Sequence, residues 1–266
     1  MRDALKFLIA VIVAIGAAGY VYQTYQKSLP CAVPIQYHIA SLDPRFGESK
    51  SDLLTAIGEA AKLWDTAAGK QLFASTASGA LGINLIFDAR QQTANLGKNI
   101  DTEQAAYESQ KSTLDALQAA FQTEQQQYES QVAFWNARGG APANTFQQLE
   151  AERAKLNSEA DTINADVAAL NAIVAQTNAK VNVYNANAGA DFNEGEFIKD
   201  ASGERVNVYE YTSHAKLVRV LAHELGHALG LEHNGDSNAI MFAFNKGSAE
   251  RLTAADTAEL KALCKL

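Results

Sequence analysis

The chain has 266 residues, 47% of them apolar, and a net charge of −8. That is enough apolar material for a real core in one or two domains. No long Lys/Arg cluster is present, and phosphate binding needs a basic face, so nucleic acid is excluded as a partner.

Residues 7–22 (FLIAVIVAIGAAGYVY) carry no charge and follow Arg2 and Lys6. The run is close to the lower limit for spanning a bilayer, about 17 residues. It reads as a single membrane anchor, with Tyr20, Tyr22 and Tyr25 at the interface, or as a signal peptide cleaved near Gly16-Ala17-Ala18. Residues 1–28 are thus an N-terminal segment with a short linker. Either reading puts the remainder outside the cytoplasm, anchored in the first case and secreted in the second. The two cysteines, Cys31 and Cys264, lie near the two ends of that remainder. In an oxidising compartment a single pair often bonds. Such a bond closes a loop of over 230 residues, for which the chain-entropy model gives roughly 5 kcal/mol. Two buried thiols are the alternative.

Residues 35–40 alternate like a strand. Residues 51–68 are amphipathic, with Ser51 as N-cap and Leu53, Leu54, Ile57, Ala60, Ala61 and Trp64 on one face. Residues 83–87 read as a buried strand, which makes an α/β or α+β start. The composition then changes. Ile100, Tyr107, Leu114, Phe121, Tyr128 and Trp135 recur every seven residues. After the breakers Arg138 to Asn144, so do Leu149, Leu156, Ile163, Leu170, Thr177 and Tyr184. The two series mirror each other about Pro142, as an antiparallel coiled-coil hairpin over residues 91–188 requires; two helices packed into a globular bundle are the alternative. Each arm is expected to be roughly 55 Å long. The second seam position of the first arm is polar (Glu103, Gln110, Glu124, Gln131), which suggests a narrow contact and a protein partner or self-association through this hairpin. Residues 195–199 and 206–211 read as strands around a turn at Ala201-Ser-Gly203. The hairpin is therefore an insertion into a domain formed by 29–90 and 189–266.

Residues 216–230 form an apolar helix carrying His223 and His227 at i and i+4, on one face a turn apart. Two imidazoles so placed can share a tetrahedral zinc ion. Glu224 is suited to act as general base. Gly230 permits a sharp turn that brings His233 back toward the same ion. Three protein ligands leave one position for reactive water, the mark of a catalytic zinc.

The run H223-E-L-G-H227-A-L-G230-L-E-H233, followed by Met241 eight residues on, resembles the metzincin zinc peptidases, and its spacing the matrixin branch. The resemblance implies a twisted mixed sheet with an active-site helix and a C-terminal helix, Met241 as the apolar floor beneath the zinc, and protein or peptide substrates. Residues 253–264 fit the last helix, with Thr253 and Asp256 as a capping pair. The fold class expected is therefore α+β, a metzincin-like domain interrupted by a coiled-coil hairpin. Many matrixins have Ser where Asn234 stands here. His38 and His214 are too few for the second, structural zinc that matrixins often carry. Calcium among Asp191, Glu194, Glu196 and Asp200 is conceivable, but a solvated loop is the expectation. The function implied is a zinc-dependent endopeptidase; the alternative is an inactive scaffold whose hairpin binds a protein.

Overall fold

The computed structural model describes residues 30–187, 193–243 and 251–266. The apolar run at 7–22 lies outside them, and among the described residues no helix is long and apolar enough to cross a membrane. Two compact units emerge, one of them Asn95–Ala190 and the other formed by the chain on either side of it.

The second of these units is α+β. Its strands β1 (Ile35–Leu42), β2 (Phe73–Ser75), β3 (Leu81–Leu85), β4 (Gly195–Asp200) and β5 (Gly203–Val208) form one mixed sheet in the order β2-β1-β3-β5-β4. Every neighbouring pair is parallel except β4–β5, which is an antiparallel hairpin with β4 at the edge. Alternation along the strands divides the two faces. Leu81, Ile83, Leu85, Val206 and Val208 are buried in the core. Asn84 and Asn207 alternate with them and hydrogen-bond to each other across the strands at 3.1 Å. Helices α1 (Lys50–Ala68) and α4 (His214–Leu229) cover the apolar face.

Several boundaries differ from those read in the sequence. Helix α1 starts at Lys50, and its N-cap is Ser49, not Ser51. The Ser49 hydroxyl accepts from the Asp52 amide while the Asp52 carboxylate accepts from the Ser49 amide, a reciprocal cap that Ser51 cannot make. Leu54, assigned to the apolar face, is exposed. Strand β3 occupies 81–85 rather than 83–87, because its partners β1 and β5 set the register and Ile86 falls beyond the ladder. Strand β5 ends at Val208, short of 211, and β2, three residues long, has no signal in the sequence.

The unit Asn95–Ala190 consists of most of α2 (Ala89–Asn136) and α3 (Ala143–Asn187). At 48 and 45 residues these helices are about 72 and 68 Å long, longer than the apolar seam suggests. Part of the excess lies before Ile100, where Asp88 holds the first turn: its carboxylate accepts the Arg90 amide. The arms are antiparallel. Glu103 pairs with Lys180 and accepts from Thr177 at 3.2 Å, Glu124 pairs with Lys155, and the Tyr184 ring lies against Gly97. Ile100, Leu114, Leu149, Leu156, Leu170 and Thr177 are buried along the seam. The polar positions Glu103 and Glu124 thus meet lysines of the other arm.

Helix α5 (Ala254–Cys264) closes the sheet-containing unit. It opens with a Thr253–Asp256 capping box. It ends at a disulfide to Cys31 across 233 residues of sequence.

Candidate metal centre

Helix α4 is capped at its start by Ser213, whose hydroxyl accepts the Lys216 amide, and at its end by Gly230. Its buried stripe of Leu217, Val220, Leu221 and Leu225 sets its rotation. That rotation leaves His223 8% exposed and His227 half-buried. The Trp64 indole, fully buried in α1, donates to the Ala222 carbonyl at 2.8 Å and fixes the helix one residue ahead of His223. Gly230 has φ of 101°, the left-handed conformation that glycine adopts without steric cost. The chain reverses there and carries His233 back.

The three Nε2 atoms converge. They stand 3.1 Å apart for His223–His227, 3.2 Å for His227–His233 and 3.3 Å for His233–His223. Ligands about 2.0–2.1 Å from a tetrahedral zinc are separated by about 3.3 Å, so the spacing fits that ion. The tautomers agree with it. His223 Nδ1 donates to the Ile240 carbonyl at 2.6 Å and His227 Nδ1 to the Leu231 carbonyl at 2.9 Å. Both Nε2 atoms therefore present lone pairs to the same point, an arrangement that a cation relieves. Burial pulls His223 down to about 4 and lowers His227, which keeps both imidazoles neutral. Among the described residues this is the only group of three or more His, Cys, Asp or Glu side chains gathered closely enough to hold a metal.

Glu224, 4% exposed, points from the same helix toward β4, where the Phe197 amide hydrogen-bonds to it. Burial, with Glu196 nearby, pushes its carboxyl up to about 8. A carboxylate so desolvated has a strong tendency to take up a proton.

Met241 is fully buried, its sulfur packed against Gly226, which stands between His223 and His227 in the helix. A Cβ on Gly226 would overlap that sulfur. The turn bearing Met241 is held from outside. The Asp256 carboxylate, completely buried, accepts the Ile240 amide at 2.9 Å, the Met241 amide at 3.0 Å and the Asn234 side chain at 3.1 Å. Arg219, also buried, donates to the Ala239 carbonyl at 2.7 Å. The capping motif identifies Asp256 in the sequence, but nothing local announces that its carboxylate reaches back to residues 240 and 241.

The remaining candidates stay apart from the trio. His214 pairs with Glu59 at 2.8 Å on the surface, and His38 sits within β1. Three of the acidic residues considered for calcium are engaged: Asp200 with Arg205, Glu196 with the Tyr209 hydroxyl and Glu194 with Lys216. Asp191 lies outside the described residues.

Residues 31–265 match the family model described as Matrixin. No curated protein matches the chain significantly.

Proposed function

The chain belongs to the matrixin family, and from that premise we propose that it is a zinc-dependent endopeptidase with a metzincin-like catalytic domain. Convergence of three imidazoles, with the Nδ1 protons of His223 and His227 turned away, is the observation that carries this reading. His223, His227 and His233 hold the ion. Bound zinc supplies a Lewis acid that polarises the scissile carbonyl and brings the pKa of its water to about 7. Glu224 takes the proton from the attacking water and delivers it to the leaving amine. Its burial excludes bulk water that would otherwise compete for that proton. The outer edge of β4 offers main-chain hydrogen bonds to an extended peptide laid beside it.

The coiled-coil hairpin binds a protein partner or a second copy of the chain, and residues 7–22 anchor the protein with its catalytic domain outside the cytoplasm. The Cys31–Cys264 bond supports an oxidising location.

Zinc content and cleavage of a proteome-derived peptide mixture, for wild type beside Glu224→Gln, test the reading. One zinc per chain in both proteins is expected, with cleavage by the wild type alone. Zinc in both and cleavage by neither favours the scaffold.

A further inference from the structure

Asp256, Leu260 and Cys264 are the buried residues of α5. Spaced by four, they form a single inward stripe. At the first turn Asp256 grips the Ile240 and Met241 amides. In the middle Leu260 is fully buried in the core. At the last turn Cys264 is bonded to Cys31, with Cα atoms 5.3 Å apart. The connection continues beyond the helix, because the Ile240 carbonyl accepts the Nδ1 proton of His223. An unbroken path of covalent and hydrogen bonds therefore runs from Cys31 through α5 and Ile240 to an imidazole of the trio.

We propose that the Cys31–Cys264 bond is a positioning element of the metal centre, so that breaking it weakens zinc binding. This rests on reading the three histidines as a zinc site. Helix α5 has 11 residues. A helix so short does not hold its shape alone and depends on tertiary attachments. The disulfide is the covalent one. Without it the C-terminal turns fray, and motion passes along about two turns of helix to Asp256 and the Ile240 backbone. The carbonyl that orients His223 then wanders. Loss of an outer partner of a metal-bound histidine typically costs roughly 10–100-fold in affinity. The reductant is a dithiol. Its thiolate attacks one cysteine sulfur, forming a mixed disulfide and releasing the other cysteine as a thiol. Its second thiol then closes a ring and releases the first. Two electrons and two protons pass from the dithiol to the protein.

The test compares zinc dissociation constants by competition with a chromophoric chelator. Three forms of the full chain are used: oxidised wild type, wild type reduced and freed of dithiol under anaerobic conditions, and the double variant C31A/C264A. The variant removes the thiols themselves as alternative ligands. Near-ultraviolet circular dichroism establishes folding of each metal-free form, and amide hydrogen exchange reads Ile240 and Met241 directly. We expect one tightly held zinc in the oxidised chain, at least about tenfold weaker binding in both bond-free forms, and faster exchange at the two amides. Equal affinities in all three folded forms overturn the proposal. If the bond-free forms do not fold without metal, zinc is loaded before reduction and its release into excess chelator is timed. Equal release rates then overturn it. An oxidised chain that binds no zinc overturns the zinc reading itself, and the proposal with it.

Discussion

Adding one methyl group at Gly226 is expected to destabilise the protein, although the same change in an ordinary helix stabilises. Alanine in a helix interior is favoured over glycine by about 0.8–1 kcal/mol. Gly58, in the middle of α1, is the ordinary case: a Cβ built there meets nothing within 4 Å. At Gly226 the new Cβ overlaps the Met241 sulfur and stands 3.0 Å from Trp64 Cζ2. Both neighbours are fully buried. Overpacking of this kind costs roughly 1–3 kcal/mol, so the net loss reaches about 2 kcal/mol after the helix gain is subtracted. For a chain of this size 1 kcal/mol moves Tm by about 2–4 °C. Gly58→Ala should therefore raise Tm by about 2–4 °C, and Gly226→Ala should lower it by up to about twice that. Displacing Met241 also shifts the adjoining Ile240 carbonyl, so zinc content should fall in the second variant only. Thermal melts of both variants in chelator, with zinc counted by atomic emission, make the comparison. A Gly226→Ala protein that melts as high as Gly58→Ala and keeps a full zinc complement would refute the packing argument.

Stability of the metal-free protein should fall as pH rises from about 6.5 to about 8. Folding raises the Glu224 carboxyl to about 8 from its ordinary value of 4.5, so in that window the folded state binds a proton that the unfolded chain lacks. Urea titrations across the window should show the decline in wild type and not in Glu224→Gln; identical curves would count against a buried carboxyl. Below about 6.5 the lowered His223 and His227 act in the opposite sense, costing stability as the unfolded imidazoles charge first. Zinc should be released over the same acid range, because protons compete for Nε2; equilibrium dialysis at stepped pH measures it. Deleting residues 100–185 with a short linker should leave a folded domain with one zinc, since the sheet-containing unit has its own core; loss of zinc stoichiometry in that deletion would make the arm part of the core. A non-reducing peptide map should find Cys31 linked to Cys264, and free thiols at both would contradict the covalent closure.

Much of the candidate centre is legible in the sequence because it is local. Helical periodicity alone puts His223 and His227 a turn apart, and a glycine at 230 announces the reversal before His233. The heptad seam names the two long arms and their turn for the same reason. Less local features are read less well. The α1 boundary is missed by one residue and its cap by two, because Ser49 and Ser51 both qualify until Asp52 chooses between them. Strand β3 slips by two residues, since an apolar run does not contain its own register.

Residue order along the chain specifies the candidate donors, the succession of helix and turn that presents them, and the two cysteines able to bond. What holds those donors still emerges in the folded chain: Trp64 on Ala222, Arg219 on Ala239, and Asp256 on Ile240 and Met241. The difference is one of range. Side-chain spacing along a helix follows from backbone geometry over a few residues. A buried hydrogen bond between groups 15 to 158 residues apart exists only once the core has brought its partners together.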